Sequence, residues 1–220
     1  MIIHVANPIY DSVFKYIMED ERIAKTILSA LLKKEVVHVT VRPHEYCNTT
    51  RDTLSMFRID FAATVREKEG DEIKDRIVLI ELQKTWLNTE TLRFRQYLGA
   101  QYNNKNNIRE ADEKGFAYPM VAVYLLGHKV GNIKEPIVYV NHDVFDYNGN
   151  VVADGNAEPF VESLTHNSII VQIPRLQGNV NNRLEKVLSV FDQTNVEGDT
   201  QQVLKIDEDK YADDNDMMYV

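Results

Sequence analysis

The chain predicts an α/β fold in which a central mixed β-sheet is flanked by helices. Three observations in its 220 residues carry that expectation. Apolar residues at helical spacing run from Tyr10 to Lys33 and again from Asn88 to about Asn107. Two short apolar runs, Arg58 to Ala62 and Val78 to Gln83, read as paired strands around a polar turn. A third buried strand lies within Phe116 to Leu126. The resulting order of helix, three strands, helix and strand, with polar residues gathered at one edge, belongs to a mixed α/β core.

Each element has its own grounds. The first helical stretch carries Val13, Phe14, Ile17, Ile23, Ile27, Leu28, Leu31 and Leu32 and is broken near Met18-Glu19-Asp20-Glu21, which fits one or two amphipathic helices. Pro8 and Asp11 suit a helix N-terminus. Val36 to Val41 is rich in β-branched residues and reads as a strand or the approach to one. Ile77 to Leu82 is apolar on both faces, as a central strand should be. In the second helical stretch Leu92, Phe94, Leu98 and Tyr102 are expected to face the core. Gly127 closes the strand ending at Leu126. Ile137 to Val140 and Ser168 to Ile173 read as further strands, the latter closed by Pro174, and Arg183 to Phe191 as a short amphipathic helix. The expected organisation is one domain over 1–195 and an acidic extension over 196–220, for which a truncated element, a partly disordered tail and a natural end are the alternatives.

Two acids stand out because each sits inside an apolar strand. Asp60 lies in Arg58-Ile59-Asp60-Phe61-Ala62 and Glu81 in Val78-Leu79-Ile80-Glu81-Leu82-Gln83. A carboxylate in a strand core is costly unless a cation or a hydrogen-bond donor offsets it. A turn centred between Gly70 and Asp71 makes paired residue numbers sum to 141, which sets Asp60 opposite Glu81. Opposed residues bring their Cβ atoms to about 4.5–5.5 Å on one face. Gln83, two positions beyond Glu81, shares that face. Two carboxylates and an amide on one face suggest a divalent-metal site, whereas a one-residue slip would split the acids between faces.

Composition narrows the function. With 44% hydrophobic and 27% charged residues the chain reads as an ordinary globular protein. No apolar stretch approaches the roughly 20 residues of a membrane span, and the start lacks the features of a signal peptide, so a cytoplasmic protein without membrane contact is expected. Cys47 is the only cysteine, which excludes a disulfide framework and a multi-thiolate zinc site. His128, His142 and His166 read as surface or loop residues. The net charge of −9 argues against indiscriminate nucleic-acid binding, but much of it is concentrated between Asp207 and Asp216, which leaves room for a local basic face.

The succession of Asp60, Glu81-Leu82-Gln83 and a following helix with Arg93 and Tyr97 resembles the PD-(D/E)XK nuclease superfamily. It is most similar to the bacterial branch of nuclease-family transposases related to the Rpn recombination-promoting nucleases. Asp11-Ser12-Val13-Phe14-Lys15-Tyr16-Ile17 looks like that branch's opening segment, with Met18 in place of its last aromatic. Ile80-Glu81-Leu82-Gln83 looks like its I-E-x-Q strand, and Arg93 to Tyr97 to Tyr102 like its next helix. The likeness extends to Tyr118–Leu126, Ile169–Pro174 and Leu184–Leu188, most of the chain.

The resemblance implies a restriction-endonuclease-like core and a metal-dependent DNA endonuclease, associated with transposition or recombination, that hydrolyses phosphodiester bonds. Asp60 and Glu81 would hold Mg²⁺ or Mn²⁺, hard cations that prefer oxygen ligands, with the Leu82 backbone carbonyl and Asp11 as further ligands. Asp60, Glu81 and Gln83 would be the catalytic set. Gln83 stands where the superfamily usually has lysine; it can orient water but supplies no charge, so slower chemistry is expected. Lys84 cannot replace that lysine because adjacent strand residues point to opposite faces. Arg93 is the candidate for phosphate contact, with Tyr97 one helical turn on. Cutting both strands would favour a homodimer. The rival readings are a catalytically weak or inactive nucleic-acid- or protein-interaction module on the same fold, and an α/β domain in which Asp60 and Glu81 are salt-bridged or solvent-facing, Arg93 a surface ion-pair partner, Tyr97 half-buried packing and Asp11 a plain helix N-terminal residue. Trp86 reads as packing rather than base stacking.

Overall fold

The opening helical stretch forms two helices because Asp20 interrupts it. The computed structural model describes residues 1–42, 56–69, 72–86, 91–109, 115–153, 155, 158–198 and 201–220. Helix α1 spans Asp11–Glu19 and α2 spans Glu21–Leu32. Between them Asp20 is extended, and its carboxylate accepts from the backbone N–H groups of Arg22 and Ile23, capping α2. Lys33 then ends α2 in the left-handed conformation at φ 54°.

Six strands build the main sheet. They are β2 (Glu35–Arg42), β3 (Met56–Glu69), β4 (Glu72–Thr85), β5 (Met120–Leu126), β6 (Ile137–Val140) and β7 (His166–Gln172). Their spatial order is β2-β3-β4-β5-β7-β6. The β2/β3, β3/β4 and β6/β7 pairs are antiparallel and the β4/β5 and β5/β7 pairs parallel, so the sheet is mixed and the fold is α/β. Helices α3 (Thr91–Tyr102), α4 (Pro159–Leu164) and α5 (Arg183–Ser189) complete the helical set among the described residues.

Strands β3 and β4 are each 14 residues long, well beyond the apolar runs that announce them. The polar residues flanking the turn continue the ladder because exposed strand positions need no apolar side chain. Their paired numbers sum to 141 throughout, so Asp60 faces Glu81. Cys47, the Gly70-Asp71 turn and the expected helix start at Asn88 lie outside the described residues.

Alternation sorts the sheet into two faces. Phe61, Ala63, Val65, Val78, Ile80 and Leu82 pack with Phe14, Met18, Ile27, Leu28 and Leu31 of α1 and α2 in one buried core. The other face carries Asp60, Glu81 and Gln83, and α3 meets it through contacts of Gln101 with Asp60 and Phe94 with Tyr124. Two core assignments on α3 are corrected: Leu92 and Tyr102 are exposed, whereas Phe94 and Leu98 are half-buried. A helix lying over a polar sheet face has little apolar surface to bury, and its apolar residues do not form one stripe.

A second sheet joins the two ends of the chain. Strand β1 (Ile2–Ala6) pairs antiparallel with β9 (Val203–Asp207), which pairs with β8 (Val196–Glu197). The acidic segment expected as an extension packs on the rest of the fold: Tyr211 and Met217 belong to the buried core, and Lys186 of α5 pairs with Asp213 at 2.5 Å.

Candidate metal centre

The site begins with the opposed acids. Asp60 is 7% exposed and Glu81 1%, so two carboxylates have been taken from water side by side on neighbouring strands. Such a pair persists only where donors or a cation offset its desolvation and mutual repulsion. The side-chain amides of Gln101 and Gln83 supply part of that. Gln101 Nε2 donates to Asp60 Oδ2 at 2.5 Å, and Gln83 Nε2 donates to Glu81 Oε1 at 3.0 Å.

The Gln83 bond leaves a residue of unmet demand. Glu81 fixes the amide's orientation, because the reverse orientation would set oxygen against oxygen. Gln83 Oε1 is then buried without a hydrogen-bond partner. An orphaned acceptor beside two buried carboxylates is a set of hard oxygen donors. It fits Mg²⁺ or Mn²⁺, ions bound through one or two carboxylates with several retained waters. Among the described residues no group of three or more His, Cys, Asp or Glu converges as a metal site.

The remaining predicted residues are placed as follows. Leu82 is paired with Ile59 on one side and Val123 on the other. Its carbonyl therefore lies within the plane of the sheet, not on the face with Glu81, and its side chain is in the core. Asp11 stands at the start of α1, where its Oδ1 pairs with Lys84 Nζ at 2.6 Å. Lys84 is fully buried, donates also to the Ile9 carbonyl and lies 5.6 Å from the Phe14 ring centroid. Strand alternation turns the Lys84 side chain to the face opposite Glu81. Arg93 is exposed and Tyr97 half-buried on α3. With Gln101 they follow one i, i+4 ridge, so the helix that touches Asp60 presents an arginine two turns away. Trp86 packs over Gly127, where an added Cβ would stand 1.7 Å from its Cε3.

Sequence reasoning passed over several members of this face. Gln101 is one contact to Asp60, and its only signal is the spacing from Arg93 and Tyr97. Tyr124 neighbours Gln83 in the β4/β5 register. Burial first, and then the Glu81 charge and Tyr102, push its phenol up to about 12. His166, expected on the surface or in a loop, is a half-buried strand residue whose Nδ1 lies 2.6 Å from the Tyr102 hydroxyl. Burial and neighbouring His142 push its imidazole down. A polar side chain covered by a helix across a sheet has no signature in local periodicity.

Among the described residues no helix is long and apolar enough to cross a membrane. No family model, curated protein or solved structure matches the chain.

Proposed function

We propose that this protein is a metal-dependent DNA endonuclease with a restriction-endonuclease-like core of the PD-(D/E)XK kind. It acts in the cytoplasm in transposition or recombination, as a homodimer where both strands are cut. The observation that carries the reading is the buried Asp60/Glu81 pair with the unpartnered Gln83 oxygen beside it. Asp60 and Glu81 are the ligands of Mg²⁺ or Mn²⁺, and Gln83 orients a water on the same face. A bound divalent ion would polarise the scissile phosphate and activate water. Arg93, exposed on the ridge that leads to Asp60, contacts the phosphate, and Tyr97 lies between them.

Titration calorimetry with Mn²⁺ tests the site, and nicking of supercoiled plasmid tests the reaction. Wild type should bind Mn²⁺ and nick DNA; Asp60→Asn and Glu81→Gln should each lose both while remaining folded by circular dichroism. Wild-type protein that binds no Mn²⁺ at millimolar concentration would sink the proposal.

A specific observation favours a second reading, an interaction module without turnover. Gln83 holds the position of the usual lysine, and the neighbouring Lys84 is committed to Asp11 and the Ile9 carbonyl on the opposite face. Metal binding with intact plasmid at high protein concentration is the result that selects it.

A further inference from the structure

We propose that Arg42, Asn107 and Gln101 form a one-way hydrogen-bond relay that positions Asp60 as a metal ligand. The inference rests on the metal-binding reading and names the residues that set it up.

The relay starts at a group that can only donate. Arg42, at the end of β2, is the register partner of Asp60, and its Nη1 donates to Asn107 Oδ1. A guanidinium has five donors and no acceptor, so it fixes which end of the Asn107 amide faces it. Asn107 Nδ2 is thereby turned to Gln101, donating to its Oε1 at 3.0 Å and to its backbone carbonyl at 2.8 Å. With Oε1 held, Gln101 has only Nε2 to offer Asp60, and donates to Oδ2 at 2.5 Å. Each amide is oriented by the one before it. The chain begins on a cation and ends on a carboxylate.

The fold invests in this arrangement. Asn107 and Gln101 are both buried, and neither sits there for apolar packing. After α3 the chain turns back through Lys105–Asn107, with Asn107 N–H bonded to the Asn104 carbonyl and the Asn107 carbonyl accepting from Tyr118 N–H at 2.8 Å. That turn delivers the Asn107 amide to the side chain of Gln101, six residues earlier. The consequence for Asp60 is a fixed carboxylate plane on the face it shares with Glu81. Partners of this kind typically change metal affinity about 10–100-fold when lost. Gln101, Asn107 and Arg42 are positioning residues: they act through Asp60.

The discriminating variant is Asn107→Asp. It keeps the size of the side chain and the contact with Arg42. It cannot donate, however, and its carboxylate draws Gln101 Nε2 toward itself, turning Gln101 Oε1 against Asp60. Calorimetric Mn²⁺ titration of the full chain, with the variants shown to be folded by circular dichroism at the titration temperature, should show affinity lower by about tenfold or more in Asn107→Asp and a comparable loss in Gln101→Leu. If wild type binds Mn²⁺ and Asn107→Asp binds it equally well, the relay is overturned while the metal site stands. If wild type binds none, both fall.

Discussion

Tyr124 is the side chain on the polar face whose proton reports most directly on Glu81. It lies beside Gln83 on the adjacent parallel strand, and its phenol is pushed up to about 12 from the ordinary 10 by burial and by the Glu81 charge. In the unfolded chain the proton leaves near 10, whereas the native state keeps it to about 12. Between those values the native state binds more protons, so its stability falls as pH rises. Tyr124→Phe should therefore flatten the alkaline loss of stability, measured as the difference between wild-type and variant urea midpoints from pH 9 to 12. An unchanged difference across that range would remove Glu81 and burial as the cause. The same face marks what could be read residue by residue. Asp60, Glu81 and Gln83 were legible because strand alternation and a symmetric turn convert residue numbers into positions. Gln101, Asn107 and Arg42 were not, because an amide or a guanidinium reaching across from another element leaves no trace in periodicity.

Helix α1 is fastened to strand β4 by a charge. Lys84 Nζ is held by Asp11 and the Ile9 carbonyl at the point where the chain enters the helix. Burial lowers the lysine's affinity for its proton and the Asp11 carboxylate opposes that. Removing one partner of such a pair leaves the other desolvated and uncompensated. Lys84→Met is expected to cost about 3 kcal/mol, toward the low end for a buried pair because Asp11 retains some solvent contact. The double variant Lys84→Met/Asp11→Asn should recover much of the loss in urea denaturation; equal losses in single and double variants would show that the pair is not coupled. Among elements, α1, α2, β2, the β3/β4 hairpin and β5 to β7 were legible from their apolar and β-branched residues. The terminal strands did not. β1, β8 and β9 are two to five residues long; β1 pairs with β9 across almost the whole chain, and β8 joins the sheet through β9. Short segments of that kind depend on tertiary pairing more than on local preference.

That terminal pairing explains how an acidic C-terminal segment becomes part of the fold, and it links the ends of the chain to the site. The buried Asn7 amide donates to Gln193 Oε1 at 2.8 Å and to the Gln201 carbonyl at 2.7 Å, while its oxygen accepts from Ile9 N–H. Ile9 in turn receives Lys84, on the strand that carries Glu81. Two forces hold the last residues against this frame. Asp216 accepts from Arg22 at 3.2 Å and Arg183 at 3.0 Å, but it is 40% exposed and both arginines are about half exposed. Solvent and salt screen such pairs to under about 1 kcal/mol. Met217 is 5% exposed within the main core, and truncating a buried methionine costs about 2–5 kcal/mol. Burial should therefore win: Met217→Ala is expected to lower stability by about 2 kcal/mol or more, and Asp216→Ala by less than half of that. The two are compared by chemical denaturation at 0.05 and 0.5 M salt, where only the Asp216→Ala loss should shrink as salt rises. A larger loss for Asp216→Ala than for Met217→Ala would mean that the segment is held by its charges.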